Sequence, residues 1–229
     1  MEKYKELQKT IGIKFKDMDL LDTVFMHRSY VNEHKRVKEH NERLEFLGDS
    51  VLELITTEFL YKQYPNHPEG ALTDLRSALV KGPHLAEIAS GINLGSMLYL
   101  SRGEEMGNGR KKPYILANVL EALIGAIYLD QGYQKSRGFI EKFVLGRLTP
   151  IIEQGLHIDP KSLLQEITQE KDFGAPVYKV VEESGPDHAK NFKIGIYIKN
   201  EFIAEGKGSS KQKAEQHAAA AALKKKGWR

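Results

Sequence analysis

The chain has 229 residues, of which 41% are hydrophobic and 28% are charged, and these proportions exclude wholesale disorder. The absence of cysteine excludes disulfides and zinc sites with thiolate ligands, and it suits a reducing compartment, so we expect a cytoplasmic protein. The charged N-terminus lacks a signal segment, and no apolar run approaches the length needed to span a bilayer, so we expect a soluble protein with no membrane partner.

The net charge of +3 is unevenly distributed along the chain. Residues 1–156 contain 21 basic and 21 acidic side chains, whereas residues 157–229 contain 13 basic and 10 acidic ones. A basic end on a neutral body hints at a polyanionic partner. On charge alone, however, the simpler interpretation of a solvated terminus is favoured.

The first two thirds of the chain is predicted to be all-helical. Residues 41–63 contain no proline and place apolar side chains at helical spacing, so they predict one long helix. Residues 101–112 are charged and rich in glycine, and they predict an exposed loop. Further helices are predicted over residues 69–80, 83–90, 113 to about 131, and from there to about 149.

The pattern changes after Pro150. A helix from Pro160, with Asp159 as its N-cap, is followed by three short segments rich in β-branched and aromatic residues and by an alanine-rich helix. The order α-β-β-β-α is that of a complete small α+β domain. We therefore predict an all-α domain over residues 1–152, a linker over 153–158 and an α+β domain over 159–227.

An acidic stripe is predicted on the helix over residues 41–63. Glu42, Glu45 and Asp49 fall at positions i, i+3 and i+7, so they share one helical face. Like charges at this spacing repel each other, and Gly48 in a helix interior costs about 1 kcal/mol relative to alanine. A sequence that accepts both costs is expected to use this helical face for a function. The alternative is an ordinary solvated acidic stripe on a surface helix.

A further acid, Glu121, lies in an otherwise apolar helix, with Asn118 one turn before it. This helix should be buried, and no lysine or arginine lies between Lys112 and Lys135 to pair with Glu121. One possibility is a structural hydrogen bond between Asn118 and Glu121. The other is that both lie opposite the acidic stripe, where oxygen donors would bind a hard cation such as Mg²⁺ or Mn²⁺.

The segment NERLEFLGDS (41–50) resembles the signature of the ribonuclease III family. Three more segments resemble blocks of the same endonuclease domain: MHRSY (26–30), PEGALTDLRSALV (68–80) and ILANVLEALIGAIYLD (115–130). The C-terminal part is similar to a double-stranded-RNA-binding domain, down to GKGSSKQKAEQHAA (206–219). The resemblance covers essentially the whole chain, in the domain order of the bacterial enzyme. It implies an endoribonuclease that acts in RNA processing and hydrolyses both strands of RNA duplexes, leaving 5′-phosphate and 3′-hydroxyl ends with a short 3′ overhang.

The resemblance also implies the site residues. It assigns metal ligation to two acids of the signature helix and two positions of the later helix: Glu45, Asp49, Asn118 and Glu121. It assigns catalytic roles to four acids: Glu42, Asp49, Glu69 and Glu121. The implied cofactor is Mg²⁺, for which Mn²⁺ can substitute, and no organic cofactor is implied. Carboxylate-held divalent ions can activate water and stabilise the leaving oxygen, so no side-chain nucleophile is required.

The chain departs from the family at position 118, where aspartate is usual and this sequence has Asn118. An amide oxygen can ligate a hard cation but brings no negative charge, so metal affinity should fall. We favour natural variation that keeps activity. The alternatives are a double-stranded-RNA-binding protein that no longer cuts and a metal-stabilised helical scaffold with an RNA tether.

Phe46 lies between the two signature acids, and in the family this position packs into the partner subunit of a dimer. A phenylalanine at such a position would otherwise belong to the core. A two-fold dimer also suits the reaction, because antiparallel strands present two phosphates related by a dyad. We therefore predict a homodimer with Phe46 at its interface.

The C-terminal part carries the predicted RNA contacts. Lys211 and Lys213 lie in the first turn of the last helix, capped by Ser209 or Ser210, where lysine opposes the helix dipole. With Gly206 and Gly208 nearby, this arrangement suits a grip on phosphate, although a solvated helix start is the alternative. Family similarity adds three contacts in the minor groove: Gln165, Glu166 and His188. Such domains read the shape of A-form RNA more than its sequence.

Overall fold

The computed structural model describes residues 2–34, 36–186 and 190–228. The chain divides into two units, Met1–His157 and Ile158–Arg229. Each unit has its own cluster of buried apolar side chains. The two units are described separately below.

The first unit is helical throughout its described part. Its α-helices are α1 (Lys5–Ile11), α2 (Met18–Val24), α3 (Arg28–Glu33), α4 (Glu42–Gln63), α5 (Glu69–Val80), α6 (Gly82–Gly91), α7 (Arg102–Met106), α8 (Pro113–Gln131), α9 (Tyr133–Phe143) and α10 (Leu148–Glu153). Four short 3-10 helices complete it: Glu2–Tyr4, Leu94–Met97, Gly109–Lys111 and Leu145–Arg147. The sequence predicted the four long helices within a few residues, and the all-α prediction for this half of the chain is confirmed.

Helix α8 lies at the centre of the first unit. Eleven of its nineteen residues are buried, and it packs against α2, α4, α6 and α9. By length and composition alone α8 is apolar enough to cross a membrane, so the expectation that no apolar run approaches this length was wrong. Its position in the core of a helical unit accounts for this composition, because a helix surrounded by others is apolar on nearly every face.

The start of α4 is fixed by Asn41, a buried polar residue. Its side-chain amide donates to the carbonyl oxygen of Val24 at 3.0 Å, and its backbone N–H donates to that of Met26 at 2.9 Å. Because buried polar groups are costly unless they are hydrogen-bonded, these two contacts hold the signature helix in one register against the end of α2 and the residues that follow it.

Residues 101–112 are mostly exposed, as their composition predicts, but they do not form a loop. They form α7 and a 3-10 turn, and Arg110 anchors them to the rest of the unit. Its guanidinium donates to three backbone carbonyl oxygens, those of Gly95, Ser96 and Leu98, and to the Glu105 carboxylate. One arginine thus ties residues 101–112 to the backbone of residues 95–98.

The second unit has the predicted order α-β-β-β-α, which is confirmed. Helix α11 (Pro160–Glu170) precedes an antiparallel sheet of β1 (Val177–Ser184), β2 (Asn191–Ile198) and β3 (Glu201–Gly208), in the order β1-β2-β3. Helix α12 (Lys211–Lys226) follows and covers one face of the sheet. Alternate residues of β2 (Ile194, Ile196 and Ile198) are buried. The opposite, outer face carries Tyr197 and Phe202, whose rings meet edge to face.

Candidate metal centre and nucleic-acid interface

Helices α4 and α8 approach each other at two glycines. A Cβ atom on Gly48 would lie 1.7 Å from the carbonyl oxygen of Glu121, and one on Gly125 would lie 2.2 Å from that of Leu44. No other residue type fits at either position, because the two backbones are in direct contact. This close approach explains why the signature helix accepts Gly48 in its interior.

The helix crossing brings three acids and one amide together, and we call these the acid cluster: Glu45, Asp49, Asn118 and Glu121. Burial, together with the negative charges of Glu42 and Asp49, raises the pKa of Glu45, while a hydrogen bond from the Asn118 side chain opposes this rise. Burial also raises the pKa of Glu121 from 4.5 to about 7, and the charges of Asp49 and Glu45 add to the effect. The sequence prediction that α8 places its polar residues opposite the acidic stripe agrees with these interactions.

The donor set of this cluster fits a hard divalent cation. It offers three carboxylates and an amide oxygen, and Mg²⁺ and Mn²⁺ prefer oxygen ligands. Burial first, and neighbouring negative charges second, raise the pKa values of Glu45 and Glu121, and a bound cation would offset both effects. In residues 2–34, 36–186 and 190–228, however, no three His, Asp or Glu side chains are spaced closely enough to hold a metal ion as they stand.

Glu42 lies beside the acid cluster, on the exposed N-terminal turn of α4. Its carboxylate is 3.5 Å from Arg28 Nη1 and 3.7 Å from His40 Nδ1. Its charge contributes to the raised pKa of Glu45, which places it within electrostatic reach of the cluster. It is therefore an acid held between two basic side chains at the edge of the site.

Glu69 lies apart from the other predicted acids in this protomer. It begins α5 and accepts a hydrogen bond from Thr73 Oγ1 at 2.9 Å. It lines a cavity of about 390 Å³ together with Thr57 and Tyr61, from the second half of α4. Thr57 is fifteen residues beyond Glu42, which is about 20 Å along an α-helix. Glu69 affects the pKa of neither Glu45 nor Glu121.

Three interacting residues were not singled out from the sequence as site residues: His27, Glu104 and Lys112. His27 caps α3 through Nδ1, and burial lowers its pKa, while the charges of Glu104 and Glu42 oppose this. Glu104 binds Lys112 Nζ at 2.5 Å. The only sequence signal was the position of His27 in the MHRSY segment, since charged residues in a glycine-rich stretch are ordinary.

Phe46, in the second turn of α4, is 78% exposed although it is a large apolar side chain. It borders a cavity of about 890 Å³ whose apolar lining includes Leu20, Leu44, Leu47 and Leu129. Further along the same helix, two more large apolar side chains are exposed on roughly the same side: Leu54 and Tyr61. An exposed apolar stripe beside an apolar cavity is typical of a protein–protein interface.

The predicted RNA contacts that the structure describes are exposed on the second unit. Gln165 and Glu166 lie on α11, and Lys211 and Lys213 lie in the first turn of α12. Asp159 caps α11 and Ser210 caps α12, as predicted. A salt bridge of 2.5 Å between Lys161 and Glu215 joins the starts of the two helices. The fifth predicted contact, His188, lies outside the described residues.

The structure explains the glycines at positions 206 and 208 by packing, whereas the sequence suggested that they serve phosphate binding. A Cβ atom on Gly206 would lie 2.2 Å from the backbone nitrogen of Ala218, and one on Gly208 would lie 2.6 Å from that of Ala214. The two glycines therefore let β3 lie directly against α12. They position the first turn of α12, and with it Lys211, by packing.

Two family models together match most of the chain. One, described as Ribonuclease-III-like, matches residues 17–148, and the other, the double-stranded RNA binding motif, matches residues 160–226. These spans fall within the helical unit and the α+β unit respectively.

Curated relatives and solved structures agree with these matches. The chain is 46% identical to Ribonuclease 3 of Bacillus licheniformis over 98% of this chain and 90% of the relative, and equally identical to Ribonuclease 3 of Bacillus cereus over 98% and 91%. The nuclease domain of ribonuclease III from Campylobacter jejuni is 37% identical, with a TM-score of 0.59, over 64% of this chain and 97% of that domain. The chain therefore belongs to the ribonuclease III family.

Proposed function

We propose that the chain is a Mg²⁺-dependent endoribonuclease that hydrolyses phosphodiester bonds in both strands of double-stranded RNA. The products are 5′-phosphate and 3′-hydroxyl ends with a short 3′ overhang. The observation that carries the proposal is the crossing of α4 and α8 at Gly48 and Gly125, which assembles the acid cluster. The same chain also contains a double-stranded RNA binding motif. Cleavage of a long RNA duplex by the purified protein with Mg²⁺ tests it.

Each residue of the acid cluster has a role that its environment supports. Glu45, Asp49 and Glu121 supply the negative charge for a divalent cation, and Asn118 offers a neutral oxygen while its amide hydrogen-bonds Glu45. A bound divalent cation lowers the pKa of a ligated water and stabilises charge on the leaving oxygen. In the metal-free chain burial raises the pKa of Glu121 to about 7, and a bound cation would favour its ionised form.

Glu42 and Glu69 have different parts in this proposal. Glu42 borders the acid cluster and lies between Arg28 and His40, so it can orient groups at the edge of the scissile phosphate. Glu69 begins α5, beside the second half of α4 in its own protomer, and it can act on a cleavage site only if a second subunit brings it there. The similarity over 98% of the chain to Ribonuclease 3 favours an active enzyme over a chain that binds RNA without cutting it.

We propose a homodimer whose interface includes Phe46. The support is the exposed apolar stripe on α4 and the adjoining cavity of about 890 Å³, which is lined by leucines and by charged side chains such as Lys38 and Arg43 and is large enough to receive side chains of a second copy. A structure of the Campylobacter jejuni nuclease domain was likewise described for flexibility in a region involved in dimer formation. The lack of cysteine supports a reducing compartment, and we propose the cytoplasm.

Phe46→Ala is expected to weaken the dimer. A buried aromatic anchor at the centre of an interface contributes about 2 kcal/mol or more, so the dissociation constant should rise roughly 30-fold. Analytical ultracentrifugation across micromolar concentrations measures this directly. Met106→Ala, which truncates another highly exposed apolar side chain, serves as the control. A wild-type protein that stays monomeric at micromolar concentration contradicts the dimer.

Lys211→Ala combined with Lys213→Ala is expected to weaken duplex binding and flatten its salt dependence. Each phosphate contact releases counterions, so the slope of log K against log salt should fall by about 1 unit per lysine removed. The binding should be measured by fluorescence anisotropy on full-length protein carrying Glu121→Gln, so that no RNA is cut. Lys224→Ala, at the other end of α12, is the matched control. A slope unchanged by the double substitution shows that these lysines do not touch phosphate.

A further inference from the structure

Tyr114 is a large aromatic residue whose exposure core packing does not explain. It lies in the first turn of α8 and is 56% exposed, whereas the next three residues of the helix are buried. Asn118 follows it by four positions and Glu121 by seven, so the three side chains share one face of the helix. Tyr114 therefore lies at the solvent end of the face that carries half of the acid cluster.

A basic side chain is anchored next to this ring. Lys112 Nζ lies 5.9 Å from the centroid of the Tyr114 ring and 2.5 Å from Glu104 Oε1. The backbone N–H of Glu104 in turn donates to Ser101 Oγ at 3.2 Å, which fixes the start of α7. The hydrogen bond to Glu104 raises the pKa of Lys112, and contact with Tyr114 adds to this. The phenol and the ammonium group are thus held side by side.

The surroundings of Tyr114 attract anions. Residues 102–112 contain four basic and two acidic side chains, a net charge of +2. Both acids form salt bridges within the segment, Glu104 with Lys112 and Glu105 with Arg110. Lys111, directly before Lys112, is exposed. A polyanion that approaches the acid cluster along α8 therefore meets a net positive surface first.

We propose that Tyr114, together with Lys111 and Lys112, binds a backbone phosphate of the RNA strand beside the one that is cleaved. This inference rests on the proposed function, since it adds a substrate contact to the same site. The phenolic O–H donates to a non-bridging phosphate oxygen, and the net charge of +2 over residues 102–112 attracts the phosphate, as in other backbone contacts. Tyr114 precedes Asn118 and Glu121 by about 6 and 10 Å along the helix, so the phosphate it reaches is a neighbour of the cleaved one.

Such a contact places the strand at the acid cluster. Backbone contacts fix the register and orientation of a nucleic acid without reading its sequence. Small displacements of a reacting phosphate are costly, because catalysis depends on near-attack geometry. Tyr114 is therefore expected to contribute to the rate at low RNA concentration and to the position of the cut, and not to metal affinity.

The test compares Tyr114→Phe and Tyr114→Ala with wild type in the full-length protein. The substrate is an RNA duplex at least twice as long as the roughly 16 base pairs that such RNA-binding domains span. Tyr114→Ala is expected to lower single-turnover kcat/KM about tenfold, with Tyr114→Phe in between, because a hydrogen bond to a charged group is lost. The Mg²⁺ midpoint and the melting temperature should stay at wild-type values. Tyr197→Phe, on the outer sheet face of the second unit, is the control.

A chemical change in the RNA makes the test specific. Neutral methylphosphonates are placed one at a time beside the cut, and each duplex is cleaved by wild type and by Tyr114→Ala. At one position the neutral linkage should slow wild type but not slow Tyr114→Ala any further, since both remove the same contact. Losses that add at every position, or a Tyr114→Ala rate equal to wild type, overturn the inference while the proposed function stands.

A wild-type protein that does not cleave the duplex contradicts the proposed function, but the contact between Tyr114 and phosphate can still be tested by RNA binding. In that case Lys111→Ala should reduce the salt slope of duplex binding by about 1 unit, and Tyr114→Ala should weaken binding in the inactive chain. Unchanged binding in both variants overturns the inference as well.

Discussion

Glu121→Gln is expected to reduce cleavage of an RNA duplex by about a hundredfold to a thousandfold or more, because it removes one charge from the acid cluster at the reacting phosphate. Duplex affinity should remain close to wild type, since phosphate contacts elsewhere supply most of it. Single-turnover cleavage and fluorescence anisotropy on the same preparations measure the two quantities. Glu6→Gln, at an exposed acid of α1, is the matched control.

The same substitution has a readout that does not depend on activity. Burial, with the charges of Asp49 and Glu45, raises the pKa of Glu121 from 4.5 to about 7. Between these values the folded protein binds the proton that the unfolded chain has released, so the stability of the metal-free protein falls as the pH rises through this window. Glu121→Gln should flatten this fall and raise the melting temperature at pH 8. A melting profile identical to wild type from pH 4 to 8 contradicts the described surroundings of Glu121.

Asn118→Asp is expected to lower the Mg²⁺ concentration for half-maximal cleavage by about tenfold and to raise the rate, because a fourth carboxylate strengthens binding of a hard cation. Without metal it should destabilise the protein. The amide that donates to Glu45 would be replaced by a carboxylate that repels it. The melting temperature should drop by a few degrees, since about 1 kcal/mol shifts a protein of this size by roughly 2–4 °C.

Asn93→Asp is the matched control for this change. Asn93 is exposed, and its left-handed backbone conformation, with φ of 58°, suits aspartate as well as asparagine. If wild type is inert even with Mn²⁺ and Asn118→Asp restores cleavage, the chain binds RNA without cutting it. If Asn118→Asp alters neither the metal requirement, the rate nor the metal-free melting temperature, position 118 is not a ligand.

The long helices and the α-β-β-β-α order could be predicted because periodicity, prolines and caps are local signals. Asp159 and Pro160 show this, since a capping residue and a proline at the first position define a helix start without any tertiary contact. Short helices such as α2 and α3, of seven and six residues, carry too few periodic positions to be predicted in this way.

The site was predicted in its residue types but not in its packing. The acidic stripe and Glu121 were visible in the sequence, whereas the contact of Gly48 with the Glu121 backbone depends on how two helices cross. For the same reason Gly206 and Gly208 suggested phosphate binding but serve the packing of β3 against α12. The separation of Glu69 from the other acids follows from the length of α4, and a resemblance between sequences does not show it.

The structure of residues 101–112 depended on a contact distant in sequence. Composition predicted an exposed loop, but the Arg110 guanidinium reaches three carbonyl oxygens of the segment after α6 and folds the stretch against the unit. That folding holds Glu104 and Lys112 next to Tyr114, which precedes Asn118 by four positions on α8.

Incubating the purified full-length protein with a long RNA duplex and Mg²⁺ tests the proposed nuclease most directly. Products should be resolved on a denaturing gel, with each strand end-labelled in turn and single-stranded RNA of the same sequence as the control. We expect both strands of the duplex to be cut into short fragments with staggered ends, no cutting after chelation by EDTA, and little cutting of the single strand. A duplex that stays intact at high Mg²⁺ and at high Mn²⁺, although the protein binds it, contradicts the proposal that this chain is a nuclease.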